Sequence, residues 1–156
     1  MAFIQPCFIR KNSPELRKKL EELGYEPCHQ MTIFPDFHKN IAACNFFGSK
    51  YYGVTDNEVS RPGGIADAIK NRGMIDCGTN EDLFFALAAL RDDTNENQWF
   101  IAQRTMWDES YNGEITVYYE ENEWLMWGYY SLMEEMPSDF RKATVEEIIT
   151  HFNNQQ

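Results

Sequence analysis

The run Leu83-Phe84-Phe85-Ala86-Leu87-Ala88-Ala89-Leu90 carries no polar side chain on any face. Read as a helix, it leaves no stripe for solvent, so the rest of the chain has to enclose it. Met74 onward reads as a strand leading in, and Thr79 with Asp82 three residues on reads as a helix cap with an acidic first turn. Arg91 suits the negative end of the helix dipole, and the polar stretch Asp92 to Asn97 leads into an extended Gln98-Trp99-Phe100-Ile101. The expectation is a central helix over about 79–91, buried against a sheet.

The chain ahead of that helix alternates strand and helix grammar. Cys7-Phe8-Ile9 reads as a short strand. Ser13 and Pro14 open a helix whose Leu16, Leu20 and Leu23 share one stripe, with Arg17, Lys18, Glu21 and Glu22 outside it and Gly24 as the left-handed stop. Extended pieces follow at Met31 to Phe34, Ala42 to Phe47 and Tyr51 to Thr55, the last two paired through a turn at Gly48-Ser49-Lys50. Asp56-Asn57-Glu58 and Arg61-Pro62-Gly63-Gly64 have loop composition, and a short helix turns Ile65, Ala66 and Ile69 inward.

Beyond the central helix, Tyr111-Asn112-Gly113 is the strongest turn signal, since Asn-Gly suits the two positive-φ positions of a type I′ turn. It predicts a meander of strands near Gln98 to Trp107, Glu114 to Tyr119 and Trp124 to Tyr130, the last two joined at Glu121-Asn122. Thr144 and Glu147 form a capping box for a last helix with Val145, Ile148, Ile149 and Phe152 on one stripe. Together these patterns predict one α+β domain over 1–152: a mixed or mainly antiparallel sheet, the buried central helix, and amphipathic helices at the N- and C-terminal ends. Residues 153–156 read as a frayed tail.

Charge narrows the partners. The chain of 156 residues has a formal net charge of −11, which repels phosphate backbones and anionic membranes, so direct nucleic-acid binding is disfavoured. The imbalance is local: residues 1–72 carry ten basic and eight acidic side chains, whereas 108–147 carry eleven acidic and two basic. A negative face of this kind suits a partner with a basic surface, although a solvated solubility face is the favoured reading. Met1 to Pro6 lacks the basic and apolar regions of a secretory leader, and no apolar run approaches the roughly 20 residues that span a bilayer. The expected location is cytoplasmic, with Cys7, Cys28, Cys44 and Cys77 reduced.

Two stretches, Pro6 to Leu16 with Leu23-Gly24-Tyr25, and Ile75 to Glu81 through Leu90-Arg91-Asp92-Asp93 to Gln98-Trp99-Phe100, carry a resemblance, together with the closing Lys142-Ala143-Thr144-Val145-Glu146-Glu147. Over under half of the chain, they resemble small proteins without an assigned activity that are carried by gut bacteria, their phages and mobile elements. The resemblance implies a setting, that of an accessory protein acting on another macromolecule, a group that includes inhibitors of bacterial defence.

Several residues could carry chemistry. Cys28, His29, His38 and Cys44 gather a ligand set that zinc accepts, but their spacing lacks the close cysteine pairs of a zinc ribbon, and a buried thiol beside a surface imidazole explains them as well. Cys77 precedes the central helix, where a helix N-terminus favours thiolate, yet Asp76, Glu81 and Asp82 oppose that effect. Asp92-Asp93 with Glu96 lacks calcium-loop grammar, and Gly63-Gly64 lacks the residues of a phosphate loop. No cofactor is implied. The aromatic C-terminal half is the most suggestive surface: Trp107, Tyr118, Trp124, Trp127 and Tyr129 are of the types favoured as interface anchors, while aromatic pairs that stiffen a core account for them equally.

The leading expectation is a non-enzymatic accessory protein that engages another protein through this aromatic, acidic surface. The runner-up is a small-molecule or nucleotide-binding module with a pocket between the sheet and the region from Ile33 to Tyr52. The third is a hydrolase-like enzyme using Cys77.

Overall fold

The computed structural model describes residues 3–44, 49–127 and 137–154. The chain is α+β, and it groups into two compact units, Met1–Asp93 with Ile148–Gln156, and Thr94–Glu147.

The first unit runs β1(Cys7–Ile9), α1(Pro14–Leu23), β2(Glu26–Pro27), α2(His29–Ile33), β3(Asn40–Cys44), β4(Lys50–Val54), α3(Asp56–Ser60), α4(Ile65–Asn71), β5(Ile75–Asp76) and α5(Glu81–Ala88). Its mixed sheet has the order β2-β4-β3-β1-β5, with β1–β5 and β2–β4 parallel and the other pairs antiparallel. Alternation along the strands decides what each face meets. Phe8, Ala42 and Val54 pack with Ala68 and Met74, flanked by Val59, Ile65 and Ile69 of α3 and α4. Cys7, Ile9, Ile41 and Ala43 alternate to the opposite face and are buried, and the Cys7 thiol lies 3.7 Å from the Phe84 carbonyl of α5.

Ser13 caps α1 by accepting from the Leu16 N–H, and Gly24 ends it at φ 116°, a conformation a side chain would strain. Arg17 departs from its expected exposed place. It is buried, because its guanidinium reaches Asn12, the Pro35 carbonyl and Asp36. The extended reading of Met31 to Phe34 is also replaced by α2, whose one-turn winding turns Met31 inward and leaves Thr32 and Ile33 outside. The region read as loop at Asp56 to Glu58 is α3, held by a capping box between Thr55 and Glu58.

The central helix is shorter than the expected 79–91, and Asn80, not Thr79, caps it. The Asn80 side chain is buried, accepts from the Leu83 N–H at 3.1 Å and donates to the Phe152 carbonyl at 3.1 Å. At the other end the Ala88 carbonyl accepts from the Tyr25 hydroxyl and the Leu90 carbonyl from the Ile4 N–H, which takes the place of another helical turn. Leu83, Phe84, Ala86, Leu87 and Ala88 are buried, whereas Phe85 is half-buried under the Lys19 ammonium, 5.1 Å from its ring.

The second unit contains β6(Trp99–Ala102), β7(Met106–Glu109), β8(Ile115–Tyr119), β9(Trp124–Met126) and β10(Phe140–Lys142), and the chain returns to the first unit through α6(Val145–Asn153). β10-β6-β9 form an antiparallel sheet, while β7 and β8 pair only with each other among the described residues. The expected meander is therefore broken: the turn at Asn122 (φ 71°) does not pair β8 with β9, and β9 pairs with β6 instead. Phe100, Ala102, Met106, Tyr119, Leu125 and Phe140 form the core of this unit.

The Thr144 and Glu147 capping box is present, and Arg141 adds a fork of two 2.7 Å bonds to Glu147. These donors, led by the guanidinium, hold the Glu147 carboxyl down at about 2, below its ordinary 4.5. Below about 4.5 the unfolded chain binds this proton more readily than the folded one, so the contribution is full above that pH and lost as pH falls toward about 2. The pair is partly solvated, and we expect Glu147→Gln to remove no more than about 1 kcal/mol at pH 7 and to flatten stability against pH between 4.5 and 2 in urea titrations.

Candidate protein-interaction site

The β7–β8 hairpin turns at Ser110 to Gly113. The Gly113 N–H bonds back to the Ser110 carbonyl, the Ser110 N–H bonds to the Glu114 carbonyl, and Gly113 alone in the turn has positive φ, 87°. The expected type I′ geometry at Asn112-Gly113 is thus replaced by a wider loop ending in a left-handed glycine. Asn112 instead spends its side-chain oxygen on the Ser110 hydroxyl and the Glu114 N–H, an arrangement that holds its backbone out of the left-handed region.

Only the base of the ribbon reaches a core. Met106 and Tyr119 are buried, with the Tyr119 ring edge-on to Phe140 at 5.1 Å. A register shift between Met106 and Trp107 then sets Trp107 opposite Val117 and leaves Tyr118 as the extra residue, the signature of a bulge that twists a strand. Trp107, Val117, Glu109 and Ile115 fall on one face, Asp108 and Thr116 on the other. Trp107, Ile115, Val117 and Tyr118 are 47% to 64% exposed. Neither β7 nor β8 has a second strand partner among the described residues, so within them both outer backbone edges are open.

The ribbon is acidic. Asp108, Glu109, Glu114, Glu120, Glu121 and Glu123 lie between Trp107 and Trp124 with no Lys or Arg among them. None of the six makes an ion pair among the described residues.

The other expected anchors serve differently. Trp124 lies 6.4 Å from the ring of Trp99, and Trp127 lies 4.8 Å from Phe100; both are half-buried in the packing of the three-stranded sheet. Tyr129 lies outside the described residues. Strict alternation along Glu114 to Tyr119 sets Ile115, Val117 and Tyr119 on one face, yet Ile115 and Val117 are exposed. The hairpin outruns its support, so Tyr119 alone is covered.

The chemical candidates of the first unit separate. Cys77 is buried, and burial followed by the charge of Asp76 pushes its thiol up to about 12, away from thiolate. Cys28 and Cys44 line one groove of about 370 Å³ with Tyr52, Arg61 and Arg72, whereas His38 lines another of about 460 Å³ with Gln30, Ile33, Phe34, Phe37 and Glu58. His29 is exposed and lines neither. Among the described residues no three His, Cys, Asp or Glu side chains are grouped to hold a metal ion. Asp93 is taken by Arg91 through two bonds of 2.9 and 3.0 Å.

His38 packs on the bare backbone of Gly53. A β-carbon there would lie 2.5 Å from His38 Nδ1 and 2.6 Å from the Met31 sulfur. Gly53→Ala is therefore expected to cost about 1–3 kcal/mol by overpacking, read as a lowered midpoint in thermal unfolding.

Set against models of protein families, curated proteins and solved structures, the chain matches none. No helix among the described residues is long and apolar enough to cross a membrane.

Proposed function

We propose that this chain is a non-enzymatic accessory protein that binds another protein, one with a basic surface, through the β7–β8 hairpin. The observation that carries the reading is a single ribbon combining an exposed apolar face, open backbone edges and six carboxylates without ion pairs among the described residues. Open edges offer main-chain pairing to an incoming strand, Trp107 offers an aromatic anchor, and the carboxylates steer and select a cationic partner. The same charge acts against a second copy of this ribbon and against phosphate-bearing ligands.

The raised Cys77 thiol favours a binding role over cysteine catalysis. The resemblance of the N-terminal and central segments to accessory proteins of gut bacteria, phages and mobile elements supplies the setting, and four cysteines outside any disulfide accord with the bacterial cytoplasm. An inhibitor of a defence protein would need no chemistry of its own.

The test is affinity capture from host extract with the full chain and with a Trp107→Ser, Val117→Ser double variant as paired baits. The expected result is a partner of basic surface, held by the first bait, lost from the second and released by raised salt. Equal recovery on both baits, or recovery indifferent to salt, would overturn the proposal.

A further inference from the structure

The groove beside His38 belongs to the first unit and shares no lining residue with the hairpin. Its wall includes the exposed rings of Phe34 (62% exposed) and Phe37 (72%), on a loop tied down from behind. Asn12 donates to the carbonyls of Pro35 (2.8 Å) and His38 (2.7 Å), and the buried Arg17 adds bonds to Pro35 and Asp36. A buried guanidinium is thus committed to holding two phenylalanines in water, where apolar area gains nothing unless something covers it.

The polar groups of the wall are incomplete. His38 is only 7% exposed, and its Nδ1 is buried without a hydrogen-bond partner among the described residues. That atom faces Gly53, and the ring lines the groove. A buried donor without an acceptor is rarer and costlier than an unpaired lone pair, which favours Nε2 over Nδ1 as the donor of this ring. Glu58 Oε1 is engaged by the Thr55 backbone and hydroxyl, whereas Oε2 has no partner among the described residues. The wall holds no cationic side chain.

We infer that this groove binds a planar, amino-substituted nitrogen heterocycle carrying no negative charge. Its flat body lies among Ile33, Phe34 and Phe37, a ring nitrogen accepts from His38 Nε2, and the exocyclic amine donates to Glu58. A space of about 460 Å³ is within the size of small-molecule sites. A phosphate would meet Glu58 and no compensating cation.

The experiment is saturation-transfer NMR titration of the full chain with adenine, with purine, which lacks the amine, and with adenosine monophosphate. Adenine is expected to saturate with Kd on the order of 1 mM, as its ten or so heavy atoms allow, with purine and the monophosphate at least about fivefold weaker. Phe37→Ala, at an exposed position, should abolish the adenine signal in protein of unchanged circular dichroism. Glu58→Gln, which retains an oxygen for the Thr55 cap, should weaken adenine and leave purine unchanged. Equal transfer to all three probes, undiminished transfer to Phe37→Ala, or no transfer to adenine would overturn the inference.

Discussion

Trp107→Ala lowers affinity for the captured partner by about 30-fold or more, equivalent to about 2 kcal/mol, and leaves the thermal midpoint of the chain almost unchanged. The two halves of this expectation have one cause. Trp107 stands above the buried base of its hairpin, opposite Val117, and more than half of its surface is in water. Truncating it therefore removes little from the folded core and much from whatever docks there. Trp124→Ala should behave in the opposite sense, because its ring packs near Trp99: stability falls, and affinity falls only as folded protein is lost. Titration calorimetry beside thermal unfolding separates the two. A Trp107→Ala protein that binds as tightly as the parent would remove the hairpin from the interface.

Asn80→Ala destabilises the protein by about 2–4 kcal/mol, while Thr79→Ala, one residue away and exposed, changes stability by less than about 0.5 kcal/mol. Asn80 acts at two helices at once. Its oxygen takes the Leu83 N–H at the start of α5, a cap worth about 1 kcal/mol, and its amide nitrogen donates to Phe152 in the last turn of α6, where carbonyls have no intrahelical donor. The alanine variant loses both bonds in a buried setting, which adds about 1–3 kcal/mol. Asn80→Asp separates the two roles, since it keeps the acceptor for Leu83 and loses the donor for Phe152. Urea unfolding should place Thr79→Ala well below both Asn80 variants, with Asn80→Asp at least as costly as Asn80→Ala because its second oxygen sets a buried charge against the Phe152 carbonyl. Equal effects of Thr79→Ala and Asn80→Ala would place the cap where the sequence pattern first suggested.

Local chemistry was legible where one residue type satisfies one backbone group. Ser13, Gly24, Thr144 and Glu147 do what their types predict, because a cap is decided within four residues. Asn80 displaced Thr79 for a reason no local pattern carries: its second bond goes to Phe152, 72 residues away. The burial of Arg17 is likewise invisible in the helix pattern, since it depends on the Pro35–Asp36 loop. Thr55 and Glu58 show the converse, a capping signature present in the sequence but passed over beneath loop composition. At the hairpin, residue type marked Trp107 and Tyr118 as anchors, but exposure depends on how far a ribbon outruns its support. That length is hidden by a meander reading, which gives β8 a second neighbour not found among the described residues. The His38 groove joins residues from α2 to α3, and its orphaned nitrogen exists only once Gly53 is folded against it.

The first unit is also discontinuous, for its buried Ile148 and Phe152 follow the whole of Thr94–Glu147. During synthesis, then, the segment bearing the hairpin is wholly translated while the earlier unit still lacks these two side chains and the carbonyl that Asn80 holds. The part made first is finished last. Until α6 is made, the surface those residues cover stays open to water or to chaperones, and closing it joins chain positions far enough apart to slow the final step.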